Sequence, residues 1–135
     1  MIDKCVPAMS VGMAVLTDRR QRKLRHDLRV LVTFIRIYCD DHHTVGPRAL
    51  VPPPIWRLTG SARTPITLCA DCARLLGHAC AKRRACPLDP KPACKHCPQH
   101  CYLPAYREQI RRVMRHSGRR LVLSGRLDYL WHLLC

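Results

Sequence analysis

The sequence predicts a mainly α fold, about four helices pinned by an irregular, cysteine-rich metal knuckle. Three observations carry this expectation. Apolar residues recur at helical spacing in several stretches of the chain. Two C-x2-C pairs and further cysteines crowd its second half. Aromatics make up only 5% of the 135 residues, with one Phe against 10 Cys and 11 Pro. A short chain so poor in large apolar rings draws on a staple, either a metal or disulfides.

Taken in order, residues 1–16 show no clear helical or strand period and read as a flexible N-terminal arm, within which Met9 and Met13 are alternative starts. Residues 17–135 read as a single Cys-rich helical domain. Thr17 or Asp18 can cap a first helix that runs to about His42. Leu24, Leu28, Leu31, Ile35 and Tyr38 share one face of it, with Cys39 beside them. Arg19, Arg20, Arg22, Lys23, Arg25 and Arg29 crowd its first half, where the helix dipole mildly disfavours cations, so helix stability does not explain them.

A Pro-rich insertion follows at about 46–65, with Pro47, Pro52, Pro53, Pro54 and Pro65. Proline donates no amide hydrogen, so this stretch reads as an extended loop outside the core, with Trp56 as its anchor. A short helix fits 67–85, and 86–101 reads as the irregular knuckle. Pro104 opens a third helix, where its missing N–H costs nothing. Tyr106, Ile110 and Val113 or Met114 form its apolar face, and Gly118 ends it. A fourth helix fits 121–134, with Leu123, Leu127, Leu130 and Leu134 in register, although Gly125 weakens it.

Cys69-Ala70-Asp71-Cys72 and Cys94-Lys95-His96-Cys97 are the C-x2-C pairs. A tight turn with two residues between cysteines aims both sulfurs at one ion, and two such pairs supply the four thiolates of a closed tetrahedral zinc site. Cys86 and Cys101 flank the second pair, so an iron–sulfur cluster is the alternative. His42 and His43 follow Cys39, and His100 lies in the knuckle. Cys5, Cys80 and Cys135 fall outside the cluster and read as incidental.

The thiols bear on compartment. The apolar stretch after Lys4 is broken by Pro7 and lacks a clear cleavage site, and no segment is long enough to span a membrane. This predicts a cytoplasmic protein with reduced cysteines available to metal. Lys plus Arg total 24 against 9 acids, a net charge of +15. Such an excess implies an acidic partner, most simply nucleic acid. Without a helix-turn-helix pattern or an aromatic stacking platform, binding should be weak and unspecific. No acid–base pair, Gly-rich phosphate loop, nucleophile elbow or dinucleotide fingerprint is present, so the chain reads as non-enzymatic.

Several blocks together resemble the nitrous oxide-stimulated promoter family, small bacterial proteins. They are Tyr38-Cys39-Asp40-Asp41-His42-His43, Leu68-Cys69-Ala70-Asp71-Cys72, Cys86, and the stretch from Pro92 through Cys94, Cys97, His100 and Cys101 to Pro104, followed by Arg107-Glu108 and Val113-Met114-Arg115. The resemblance runs from about Thr17 to the C-terminus and is most specific between Cys94 and Arg115. It implies roles for Cys39, Cys69, Cys72, Cys86, Cys94, Cys97 and Cys101, and for His42, His43 and His100. It also implies expression when nitrogen oxides are present, and no known activity. The insertion at 46–65 departs from the pattern. So do Gly118-Arg119-Arg120 and Ser124-Gly125, where the family carries Gly-Pro-Arg and His-Pro. The resulting expectation is a metal-binding protein, with zinc favoured, of the nitrosative-stress response. The alternatives are an iron–sulfur protein responding to nitric oxide and a basic nucleic-acid-binding regulator.

Overall fold

The computed structural model describes residues 8–52, 65–88, 97 and 101–129, with the backbone alone for 8–17 and 129. In chain order the elements are α1 (Ala8–His42), β1 (Ala49–Leu50), β2 (Thr67–Leu68), α2 (Ala70–Ala85), α3 (Pro104–Leu123) and a 3-10 turn (Leu127–Tyr129). The chain is mainly helical, with three α-helices among the described residues. No described helix is long and apolar enough to cross a membrane.

The long helix α1 is the spine, against which α2 and α3 both pack. Its expected stripe is inward: Leu28, Leu31 and Ile35 are buried, and Leu24 and Tyr38 are half-buried against the core. Val30, Val32 and Phe34 are buried as well. One stripe cannot serve neighbours on two sides, so the apolar face of α1 is wider than a single-partner helix requires. From α2 come Leu75, Leu76, Ala79 and Cys80, and from α3 Ile110 and Val113. Where α3 crosses α1, the buried Ser117 donates its hydroxyl to the Phe34 carbonyl at 2.6 Å. Arg83 on α2 pairs with Asp27 on α1 at 2.7 Å, both side chains mostly buried.

Four expectations need correction. First, α1 begins at Ala8, not at Thr17 or Asp18, so 8–16 is helix rather than a loose arm. The next proline after Pro7 is Pro47, beyond the end of the helix. Second, the ends of the Pro-rich insertion join the core. β1 and β2 pair antiparallel, Ala49 opposite Leu68 and Leu50 opposite Thr67, and Val51 N–H donates to the Ile66 carbonyl at 2.8 Å. Val51 and Ile66 are buried. The expected anchor Trp56 lies outside the described residues.

Third, Gly118 does not end α3, which continues to Leu123. Gly118 is buried beside Ser117 at the crossing, where the tertiary packing outweighs its low helix propensity. Fourth, no further α-helix forms over 121–129: α3 runs to Leu123 and a 3-10 turn follows at Leu127–Tyr129. Gly125 adopts φ 93°, a left-handed conformation natural to glycine that ends α3. Leu123 and Leu127 are then 87% and 68% exposed, so they form no buried register. The expected partners Leu130 and Leu134 lie outside the described residues.

Candidate metal centre

The candidate site forms where the C-terminal end of α1 meets the N-terminal end of α2. Cys69 is the N-cap of α2, and its sulfur accepts the Cys72 N–H at 3.4 Å, satisfying an amide that the helix leaves without a partner. Cys72 sits in the first turn, buried. On the other side Cys39 is fully buried in the last turn of α1. His43 follows that helix directly, and its N–H continues the helical pattern to the Cys39 carbonyl at 2.9 Å.

The donor atoms of Cys39, His43, Cys69 and Cys72 all lie within 4.8 Å of one another. The His43 Nδ1 is 3.4 Å from the Cys69 sulfur and 3.3 Å from that of Cys72. A tetrahedral zinc ion with Zn–S bonds of about 2.3 Å holds its ligand atoms about 3.5–3.8 Å apart. Three sulfurs and one imidazole converging on one atom-sized point therefore fit a single metal ion, and Cys3His is a familiar structural zinc set. Neither Cys39, Cys69 nor Cys72 is in a disulfide.

The local electrostatics suit a cation held by thiolates. The positive end of the α2 dipole faces Cys69 and Cys72, which favours negative sulfur. The negative end of the α1 dipole faces the same point, which favours a bound cation. Burial opposes ionisation of Cys69, but hydrogen bonds from Cys72, Cys39 and the Asp71 amide outweigh it and hold Cys69 below the usual thiol value. Burial raises Cys72, and its two neighbouring sulfurs raise it further. Burial also raises Cys39, against the Cys69 N–H that its sulfur accepts at 3.4 Å.

Arg48 braces the site. Its guanidinium donates to the Cys39 carbonyl at 2.9 Å and the His43 carbonyl at 3.2 Å, and pairs with Asp40 at 2.6 Å. It thus satisfies carbonyls at the C-terminal end of α1, at the turn that carries two donors. Gly46, with φ 119°, turns the chain back so that Arg48 can reach. The sequence reading missed Arg48. Its signal was a cation shortly after Gly-Pro at a helix end.

The sequence-derived candidates divide accordingly. The spacing assigns Cys94 and Cys97 to complete the Cys69–Cys72 pair, whereas the residues standing beside it are Cys39 and His43. Cys86, Cys97 and Cys101 are outside the four-donor group, and Cys94 and His100 lie outside the described residues. His42 is also outside the group. Its ring stacks on Tyr38 with centroids 4.3 Å apart and meets His116 edge-on at 4.3 Å. The reason is helical phase. His43 lies about 40° from Cys39 around the axis, and His42 about 60° to the other side.

A family model described as nitrous oxide-stimulated promoter matches residues 22–135. The chain belongs to that family. The Escherichia coli (strain K12) protein YgbA is 46% identical over 44 residues, a match covering 33% of this chain and 38% of YgbA. No solved structure matches this member of the nitrous oxide-stimulated promoter family.

Proposed function

We propose that this protein is a non-enzymatic, cytoplasmic zinc protein of the nitrosative-stress response, with Cys39, His43, Cys69 and Cys72 as ligands. The observation that carries the reading is the convergence of these four donors within 4.8 Å. Four protein donors would leave no open position for substrate, which favours a structural or sensing site over a catalytic one. An iron–sulfur cluster needs ligand sulfurs spread around a core of several atoms, so convergence on one point favours a single ion. The family name supports the nitrogen-oxide context.

Bound zinc would keep the thiolates deprotonated at neutral pH. Cys69, at the helix N-terminus and the most exposed of the three sulfur residues, is the proposed first target. An S-nitrosothiol would transfer its nitrosonium group to the Cys69 thiolate, forming a protein S-nitrosothiol and releasing the donor's thiolate. The modified sulfur is a poor ligand, so the α1–α2 junction loosens. The test is elemental analysis of protein purified without oxygen, followed by anaerobic S-nitrosoglutathione with a chelating dye present. The expected result is one zinc per chain, released as Cys69 is modified. Retention of zinc under donor excess, with unmodified cysteines by mass spectrometry, would leave a purely structural site. Iron with visible absorbance in place of zinc would reject the ion assignment.

A further inference from the structure

A second site lies beside the metal cluster, on another face of the same helical turn. An open cleft of about 730 Å³ lies between the rings of Tyr38, His42 and His116 and the side chains of Arg112, Arg115, Arg119 and Arg120. Four arginines therefore face one space. Arg112, Arg115 and Arg119 recur on α3 at spacings of three and four, which places them on one face of the helix, and Arg120 adjoins them at its edge.

Like charges so spaced destabilise a helix, and few acids offset them. Glu108 reaches Arg112 at 3.5 Å on the exposed surface. Asp41 is shared between His116 at 2.7 Å and Arg120 at 3.2 Å. Among the described residues Arg115 and Arg119 have no ion-pair partner. The negative end of the α3 dipole eases repulsion only within its last turn, which does not include Arg115.

The rest of the lining is aromatic. Tyr38 and His42 are stacked 12° from parallel, and His116 meets both rings edge-on, held by Asp41. The cleft's size suits a ligand of nucleotide dimensions. Planar guanidinium forks match phosphate oxygens bidentately. We propose that this cleft binds adjacent phosphoryl groups, with Arg115 and Arg119 as the principal contacts and Arg112 and Arg120 at its edges. The phosphoryl groups would come from a free polyphosphate or nucleotide, or from a nucleic-acid backbone. This inference does not depend on the metal reading.

The test titrates the full-length protein with inorganic tripolyphosphate and, separately, with single-stranded oligothymidylate, at about 0.15 M salt by calorimetry. The double variant R115Q/R119Q is compared with R19Q/R25Q, which removes the same charge from exposed positions on α1. A third variant, R115K/R119K, keeps the charge and loses the fork. The helical circular dichroism of all three should match the parent, since these side chains are exposed.

The expected result is a loss of about tenfold or more for R115Q/R119Q, against about threefold or less for R19Q/R25Q, with the lysine variant between. Tripolyphosphate binding that follows this order identifies a free ligand as the source. Oligothymidylate binding alone in the same order identifies nucleic acid. Equal loss in the two glutamine variants, or no binding of either probe, overturns the proposal.

Discussion

His42 and His43 adjoin in sequence but face different chemistry. His43 presents Nδ1 to two sulfurs, while His42 stacks on Tyr38 at the cleft. Their replacement should therefore separate cleanly. His43→Ala is expected to weaken zinc binding by on the order of 100-fold or more, since loss of even an outer-shell partner costs 10–100-fold. His42→Ala is expected to leave it within a few-fold. Competition with a zinc-sensitive dye measures both, and equal losses would reject the assignment of His43. Cys80 offers a second prediction. It is buried on α2, and burial pushes its thiol up to about 11, against partial relief from Arg84. At pH 8 it should stay protonated and resist iodoacetamide until the protein unfolds, as peptide mapping would show. The folded state holds this proton more tightly than the unfolded chain, whose thiol titrates near 9. Stability from Cys80 is thus complete below about pH 9 and declines as pH rises towards 11. Cys80→Ala should flatten that decline in urea melts across the same range.

Two largely buried polar contacts join the helices beside their apolar core. Ser117 donates into the α1 backbone at Phe34, and Arg83 carries a mostly buried ion pair to Asp27. Ser117→Ala should cost about 1 kcal/mol, a typical buried hydrogen bond. Arg83→Met should cost about 1–2 kcal/mol, because it strips a partner from a largely desolvated carboxylate. Urea midpoints should fall with unchanged slope; no change in either variant would show that these helix junctions are slack. The inward stripes of α1 and α3 were legible because Leu28, Leu31, Ile35, Ile110 and Val113 repeat at helical spacing. The extent of α3 was not, since Gly118 is a stop signal locally yet is buried within the helix. The metal ligands were legible as a set of candidates and not as a combination. Helix phase distinguishes His42 from His43 only once the meeting side of α1 is known. No spacing rule links Cys39 to Cys69, which come together through the α1–α2 packing. The apolar Val51 and Ile66 were masked by the prolines around them.

At the scale of the whole molecule, the donors join the last turn of α1 to the first turn of α2, segments separated by the Pro-rich loop. The metal would therefore act as a cross-link between helices. A structural zinc contributes on the order of 10 kcal/mol or more of binding free energy at neutral pH, comparable to the entire stability of a small domain, about 5–15 kcal/mol. Metal removal should accordingly be felt as folding free energy. The loss should be uneven. The crossing of α1 and α3 keeps Phe34, Ile110, Val113 and the Ser117 hydrogen bond, none of which supplies a metal donor. The α1–α2 junction loses the ion that holds it at one end, leaving Leu75, Leu76, Ala79 and the Arg83–Asp27 pair to hold the other. Chelation should lower the melting temperature and expose amides around 39–43 and 67–73 to hydrogen exchange first. Protection around 30–36 and 110–117 should fall less. Cys72→Ser should reproduce the pattern without chelator. Identical exchange and melting in metal-free and zinc-loaded protein would mean that packing alone assembles this junction, and the cross-link role would be lost.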